Sequence, residues 1–347
     1  MKSGRHHLQN SRRNLPLKSF ILACLIIFVL TPRKISAAEY PQAEISNSVI
    51  QAKVYLPDAR AGFYRGTRFD WSGVVSSLIW NGHEYFGNWF EKHDPRAHDS
   101  ISGPVEEFLT GKVALGYLEA KPGEAFVKIG VGSLRKPNEA SYSSFTTYEI
   151  LNPGKWSTKK GSNWIEFIQI FPDISGYAYI YRKKMRLEKG KPVLVLEHTL
   201  KNTGKKVIET SVYDHNFFML DAQPSGPDYF LRFPFNLHAT EELKGLAEVR
   251  GKELVYLQEL KKNQYVYTHL EGFGSSPADN DIRVENHKTK AGVHIIGNRP
   301  LSKLAFWSNP KLVCPEPFIS MRIEPGKQST WRITYEFYDV PTSGQSQ

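Results

Sequence analysis

The sequence predicts an all-β protein, a large antiparallel β-sandwich, and three observations carry that expectation. Short runs rich in Val, Ile, Tyr, Phe, Trp and Thr recur along the chain and are broken by Gly, Pro, Asn and Asp. No segment sustains an apolar 3.6-residue period for three turns. About 309 residues follow the N-terminal leader, enough to bury a large core in one domain.

The elements follow in order. Residues 74–80 lead into Asn81-Gly82 and resume at His83-Glu84-Tyr85-Phe86, a tight hairpin signal. Residues 164–171 and 177–187 read as two long strands, and 192–200 as a third that turns at Asn202-Thr203-Gly204. Further strands are expected at 207–213, 229–235, 265–270, 291–296, 303–307 and 329–338. The best helix candidate is 241–250, and it is short. With no internal repeat and no low-complexity linker, one domain is expected over 39–340, followed by a disordered tail, 341–347.

The first 38 residues have another purpose. Lys2, Arg5, Arg12, Arg13 and Lys18 precede an apolar run from Phe20 to Leu30, and Ser36-Ala37-Ala38 offers small residues for cleavage. That is the layout of a secretory signal peptide. The apolar run has 11 residues, short of the roughly 20 needed to span a bilayer, so no stable membrane span is expected once the leader is removed. The mature protein is expected in the periplasm or outside the cell.

Removing the leader also removes seven Lys or Arg and no acid, so the formal charge falls from +10 to +3. The clustered basic face that a nucleic-acid partner needs is not apparent. Of two cysteines, Cys24 lies in the leader, leaving Cys314 with no intramolecular disulfide partner. A zinc site built on several cysteines is excluded too. His93, Asp94, His98 and Asp99 match no common metal-ligand spacing, so no metal is assigned. Nothing in the chain sets an oligomeric state.

Two passages point to chemistry. Tyr213-Asp214-His215-Asn216-Phe217-Phe218 places a histidine in an aromatic run, and Val313-Cys314-Pro315-Glu316-Pro317 places a carboxylate between two prolines. Brought together, they form an acid–base pair suited to moving protons on a sugar. Asp214 precedes His215 on the same strand, so its side chain is expected on the opposite face.

These passages carry a resemblance over about the last 150 residues. Asn202-Thr203-Gly204, a strand, then His215-Asn216-Phe217-Phe218 resembles the turn, strand and His-x-Tyr-Phe passage of the aldose 1-epimerase (galactose mutarotase-like) superfamily. Phe306-Trp307-Ser308-Asn309-Pro310, the Glu316 segment and Glu324-Pro325-Gly326 resemble the ending of its hexose-6-phosphate epimerase-like branch. The resemblance implies a β-supersandwich and a cofactor-free isomerase that equilibrates aldose anomers. Glu316 would take the proton from the C1 hydroxyl and His215 would donate to the ring oxygen, from opposite sides of the hemiacetal. By order along the chain, Arg68 and His98 would hold sugar hydroxyls, and Trp307 would offer a ring face. Phe217 replaces the family's tyrosine and removes a hydroxyl near the acid.

The partner implied is a small sugar or the reducing end of an oligosaccharide, and the leader argues against phosphorylated substrates. Two other functions compete. A non-catalytic exported carbohydrate-binding protein would keep the pocket without turnover. A lyase or hydrolase relative would need a second catalytic domain, and the sequence offers none.

Overall fold

The computed structural model describes residues 40–341. The expected leader and the tail beyond Pro341 lie outside the described residues. Within them, every paired strand is antiparallel and no α-helix occurs, the helical content being two short 3₁₀ turns. The sheets contain ten, six, four and three strands. This is an all-β architecture of large antiparallel sheets, as the sequence led one to expect.

The ten-stranded sheet is centred on Gln328–Asp339, flanked by Val193–Asn202 and Ala291–Gly297. In the six-stranded sheet the order is His238–Ala239, Val266–Glu271, Lys303–Asn309, Leu312–Ile323, Ile208–His215, Val105–Leu109. One face of this sheet packs on the large one: Phe108, Val212 and Ile319 meet Tyr179, Tyr181, Leu200 and Trp331 in a shared apolar cluster. Because successive side chains alternate between faces, the residues between these inward ones point to the far side. That far side carries the site.

Two expectations fail for local reasons. The helix candidate over 241–250 is instead a turn followed by a strand, Ala247–Arg250, paired with Glu253–Tyr256. Lys244 and Gly245 both have positive φ, 53° and 67°, which stops a right-handed helix after one turn. The glutamate segment, where no strand was expected, is the strand Leu312–Ile323 in the middle of the six-stranded sheet.

Proline has no N–H for a ladder and is unusual in a central strand. Here the cost is confined to one edge. Pairing with Ile208–His215 runs regularly to Tyr213↔Phe318, then lapses, and returns as a single bridge at Phe218↔Val313. In the gap, Asn216 Nδ2 donates to the Pro315 carbonyl at 2.9 Å in place of a backbone bond. Pairing to Lys303–Asn309 on the other side is unbroken.

Candidate active site

The far face of the six-stranded sheet forms the floor of a cleft of about 520 Å³. Its rows follow from the register. Tyr267, Trp307 and Cys314 are cross-strand neighbours, as are Ala305 and Glu316, and Lys303, Phe318, Tyr213 and Glu107. Continuing the ladder from Tyr213↔Phe318 sets His215 opposite Glu316.

Residues in one row stand about 5 Å apart at Cβ, close enough for side chains to touch. His215 Nδ1 lies 3.2 Å from Glu316 Oε1. The two groups thus share one cleft but stand side by side. No sugar ring fits between them, so a ligand would lie over the pair rather than between its members. This differs from the arrangement on opposite sides of a hemiacetal that the resemblance implied, and the shared row of the sheet is the reason.

The other ring nitrogen is also engaged. Arg68 Nη2 is 3.1 Å from His215 Nε2, and Tyr213 OH is at the same distance. A guanidinium only donates, so Nε2 accepts, and the proton of the neutral ring sits on Nδ1, directed at Glu316. Cys314 Sγ is 3.5 Å from Nδ1. The ring stacks on Phe217, with centroids 5.0 Å apart.

Behind the pair lies a group of charges. Glu107 Oε2 accepts from Arg68 Nε at 2.9 Å and from the Tyr213 hydroxyl. Its Oε1 accepts from Lys128 Nζ at 2.9 Å and Ser144 Oγ at 2.7 Å. Burial alone would raise the Glu107 pKa, but the Lys128 and Arg68 charges and the Tyr213 hydrogen bond outweigh it and hold it well below the usual range.

Glu316 behaves oppositely. Burial pushes its carboxyl up to about 8 against the pull of Arg68, and the negative charge of Glu107 adds to the rise. Burial also holds His215 well below its ordinary value, with the Arg68 charge acting in the same direction. Near neutral pH the pair therefore holds one exchangeable proton on its carboxyl and an uncharged ring.

Arg68, His98 and Trp307 all line the same cleft. The Arg68 guanidinium is largely committed to Glu107 and His215. His98 lies at the wall, edge-on to Phe145 at 5.0 Å and 3.5 Å from Asp99. Trp307 stands beside Trp89 at 5.6 Å. Asp214 points to the opposite face of its strand, where it accepts from Tyr335 OH at 3.2 Å.

Sequence reasoning missed Glu107, Lys128 and Tyr213. A signal for Glu107 existed: Glu106-Glu107 inside Val105–Leu109 must send one carboxylate to each face of a buried strand, and each then needs a cation. Gly103 is also required here. A Cβ at that position would stand 2.5 Å from the His215 carbonyl oxygen and 2.8 Å from the Phe217 nitrogen, so only glycine lets the loop lie against the strand.

Among the described residues, the ligating atoms of His215, Cys314 and Glu316 lie within 4.8 Å of one another. Arg68 against the histidine and the raised thiol and carboxyl pKa values make this a poor environment for a cation. The trio reads as proton-handling chemistry.

Neither a family model nor a curated protein matches the sequence. Solved structures do resemble the fold. The Slr1438 protein of Synechocystis superposes with a TM-score of 0.55 at 13% identity, over 88% of this chain and 99% of that one. A homologue of GalM/aldose epimerase from C. elegans gives 0.54 at 13%, over 87% and 100%. A putative aldose 1-epimerase from Escherichia coli gives 0.52 at 12%, over 86% and 99%. The chain therefore has the fold of aldose 1-epimerases and galactose mutarotases across most of its length. Among the described residues, no helix is long and apolar enough to cross a membrane.

Proposed function

We propose that the protein is a carbohydrate isomerase that interconverts aldose anomers by acid–base ring opening at C1. The observation that carries this reading is the Glu316–His215 contact on a cleft floor, with Arg68 fixing the imidazole from behind. Ring opening removes a proton from the C1 hydroxyl and delivers one to the ring oxygen as the C1–O5 bond breaks. A pair holding one proton meets both needs. In its carboxylate–imidazolium form, Glu316 takes the hydroxyl proton while His215 protonates the ring oxygen, leaving the open aldehyde over a carboxylic acid and a neutral imidazole. Rotation about C1–C2 and the reverse transfers close the ring on the other face. Burial favours the uncharged form of the pair; reaching the working form moves the Glu316 proton to His215 Nε2, the ring's remaining lone pair, which must first release its contact with Arg68.

General acid–base groups contribute roughly 10²–10⁴-fold each. Glu316→Gln is therefore expected to slow anomerisation of α-glucose or α-galactose, followed by NMR, by about 10²-fold or more with little change in binding. His215→Asn is expected to lose less, since solvent can protonate the ring oxygen. The one-proton pair persists until Glu316 loses its proton, so the rate should fall as pH rises through about 8. A rate that climbs through that region would assign Glu316 alone as the base.

A binding protein without turnover is the second reading. Its support is the aromatic wall of Trp89, Phe145, Phe217, Tyr267, Trp307 and Phe318, which outweighs the polar groups in the cleft. Sugar binding by wild type and both variants, with no catalysed anomerisation of any aldose, would establish it.

We further propose that the protein is exported after cleavage near Glu39. Intact-mass measurement on protein recovered from the producing cell should show the leader missing, and full-length cytoplasmic chain would refute export.

A further inference from the structure

The mechanism leaves one cation of the cleft unused. Lys303 occupies the row next to Glu316, paired with Phe318, and its ammonium stands 4.3 Å over the Phe318 ring. No side-chain hydrogen bond or ion pair engages it among the described residues. Carboxylates lie within electrostatic range of it, but none bonds to it. Arg68 and Lys128 share a single carboxylate, Glu107. Glu241 is committed to His269, at 2.7 Å from Nδ1 and 2.5 Å from the backbone nitrogen. Lys112 adds a further cation within electrostatic range. Partial burial holds the Lys303 pKa below its ordinary value although Glu316, Glu241 and Glu107 act to raise it, so the ammonium stands in a partly dry place with no carboxylate bonded to it.

Placement supplies the rest. Glu316 pairs with Ala305, and Lys303 lies two residues along the same strand, on the same face. The two side chains are diagonal neighbours, roughly 7–8 Å apart at their bases. Ala305 beside them contributes nothing beyond its Cβ, which leaves the floor open, and Phe318 supplies a flat apolar surface. A pyranose lying there with C1 over the Glu316–His215 pair would carry its C5 substituent toward Lys303.

We infer that the sugar bound in this cleft bears a carboxylate, as a uronic acid does, and that Lys303 is the residue that recognises it. The inference rests on the isomerase reading for the placement of C1, but the recognition itself is a binding property. A carboxylate suits the site better than a phosphate does. One ammonium matches one negative charge, whereas a phosphate's extra charge and oxygens favour guanidinium forks or several donors, and Arg68 is already engaged.

The test uses methyl glycosides, which have no free C1 hydroxyl and cannot anomerise, so the result is independent of turnover. Calorimetric titration of the protein with methyl glucuronide, methyl glucoside and methyl glucoside 6-phosphate would compare carboxylate, hydroxymethyl and phosphate at one position. Wild type should bind the glucuronide about tenfold more tightly than the glucoside, with the preference shrinking as salt is added. Lys303→Met keeps a stem on Phe318 and should abolish the preference while leaving glucoside affinity unchanged.

Equal affinities in wild type, or a preference that survives in Lys303→Met, would overturn the inference. Tighter binding of the phosphate, lost in the same variant, would overturn the carboxylate. A variant that shifts the pH profile of anomerisation without touching sugar preference would make Lys303 a tuner of Glu316 instead, and that too defeats the inference. Failure to catalyse anomerisation of any aldose would sink the isomerase reading yet leave this binding preference measurable.

Discussion

Glu106 and Glu107 are neighbours in one strand, both buried, both bound to a lysine, and they serve opposite sides of the sheet. Glu106 faces the gap between the sheets. Its carboxylate accepts from Lys183 Nζ at 2.5 Å and from His198 Nε2 at 2.6 Å, and none of the three side chains reaches solvent. The Lys183 ammonium also donates to the Ser72 carbonyl at 3.2 Å. Glu107 faces the cleft, and its partner Arg68 extends from it to His215 beside Glu316. A closed charge cluster and an open one thus grow from the same dipeptide. What separates the two clusters is whether the chain of contacts ends in the core or at a cavity.

The comparison breaks most visibly on the closed side. Removing one partner of a buried pair leaves an uncompensated charge, typically at a cost of about 3–5 kcal/mol. Lys183→Met should therefore destabilise the protein by that amount in denaturant unfolding, through the stranded Glu106. A loss under about 1 kcal/mol would mean that the cluster is already neutralised by proton sharing with Asp214, whose own pKa burial and Glu106 raise well above normal.

How much of this was legible in the sequence depended on which signal each part used. Alternating apolar residues announced most long strands, hence the fold class. His215, Glu316, Arg68, His98 and Trp307 meet in one cleft, and chain order was enough to nominate them. The Glu316 strand was hidden because Pro315 and Pro317 argue against a central strand. The structure tolerates them only by surrendering a stretch of ladder to the Asn216 side chain. Lys128 and Ser144 were invisible because nothing local marks a lysine or serine as the partner of a carboxylate 21 or 37 residues away. The contact between His215 and Glu316 was out of reach too, since it depends on cross-strand register.

The two faces should also respond to pH with opposite sign, and Glu316 allows the smallest and most specific test. Glu106 is held at about 2, where burial would raise it but Lys183 and His198 win. A depressed carboxyl contributes stability above its unfolded value, near 4.5, and loses it as pH falls toward 2. Glu316 is raised to about 8, so its native form binds a proton that the unfolded chain has released. Its contribution is complete below about 4.5 and is lost as pH rises through 8. Glu316→Gln keeps the shape, stays neutral at every pH and cannot suffer that loss. Around pH 9 the variant should therefore unfold at higher denaturant than wild type, by about 1 kcal/mol or more, while near pH 5 the two should be closely matched. A residue that weakens the fold as it ionises is retained for what its carboxylate does, which is the expected mark of a reactive group. If wild type proves the more stable protein at pH 9, the Glu316 carboxylate is stabilised by His215 and Arg68 beyond the cost of its burial. The pair would then be a structural ion pair like the one around Glu106, and the contrast between the two faces would collapse.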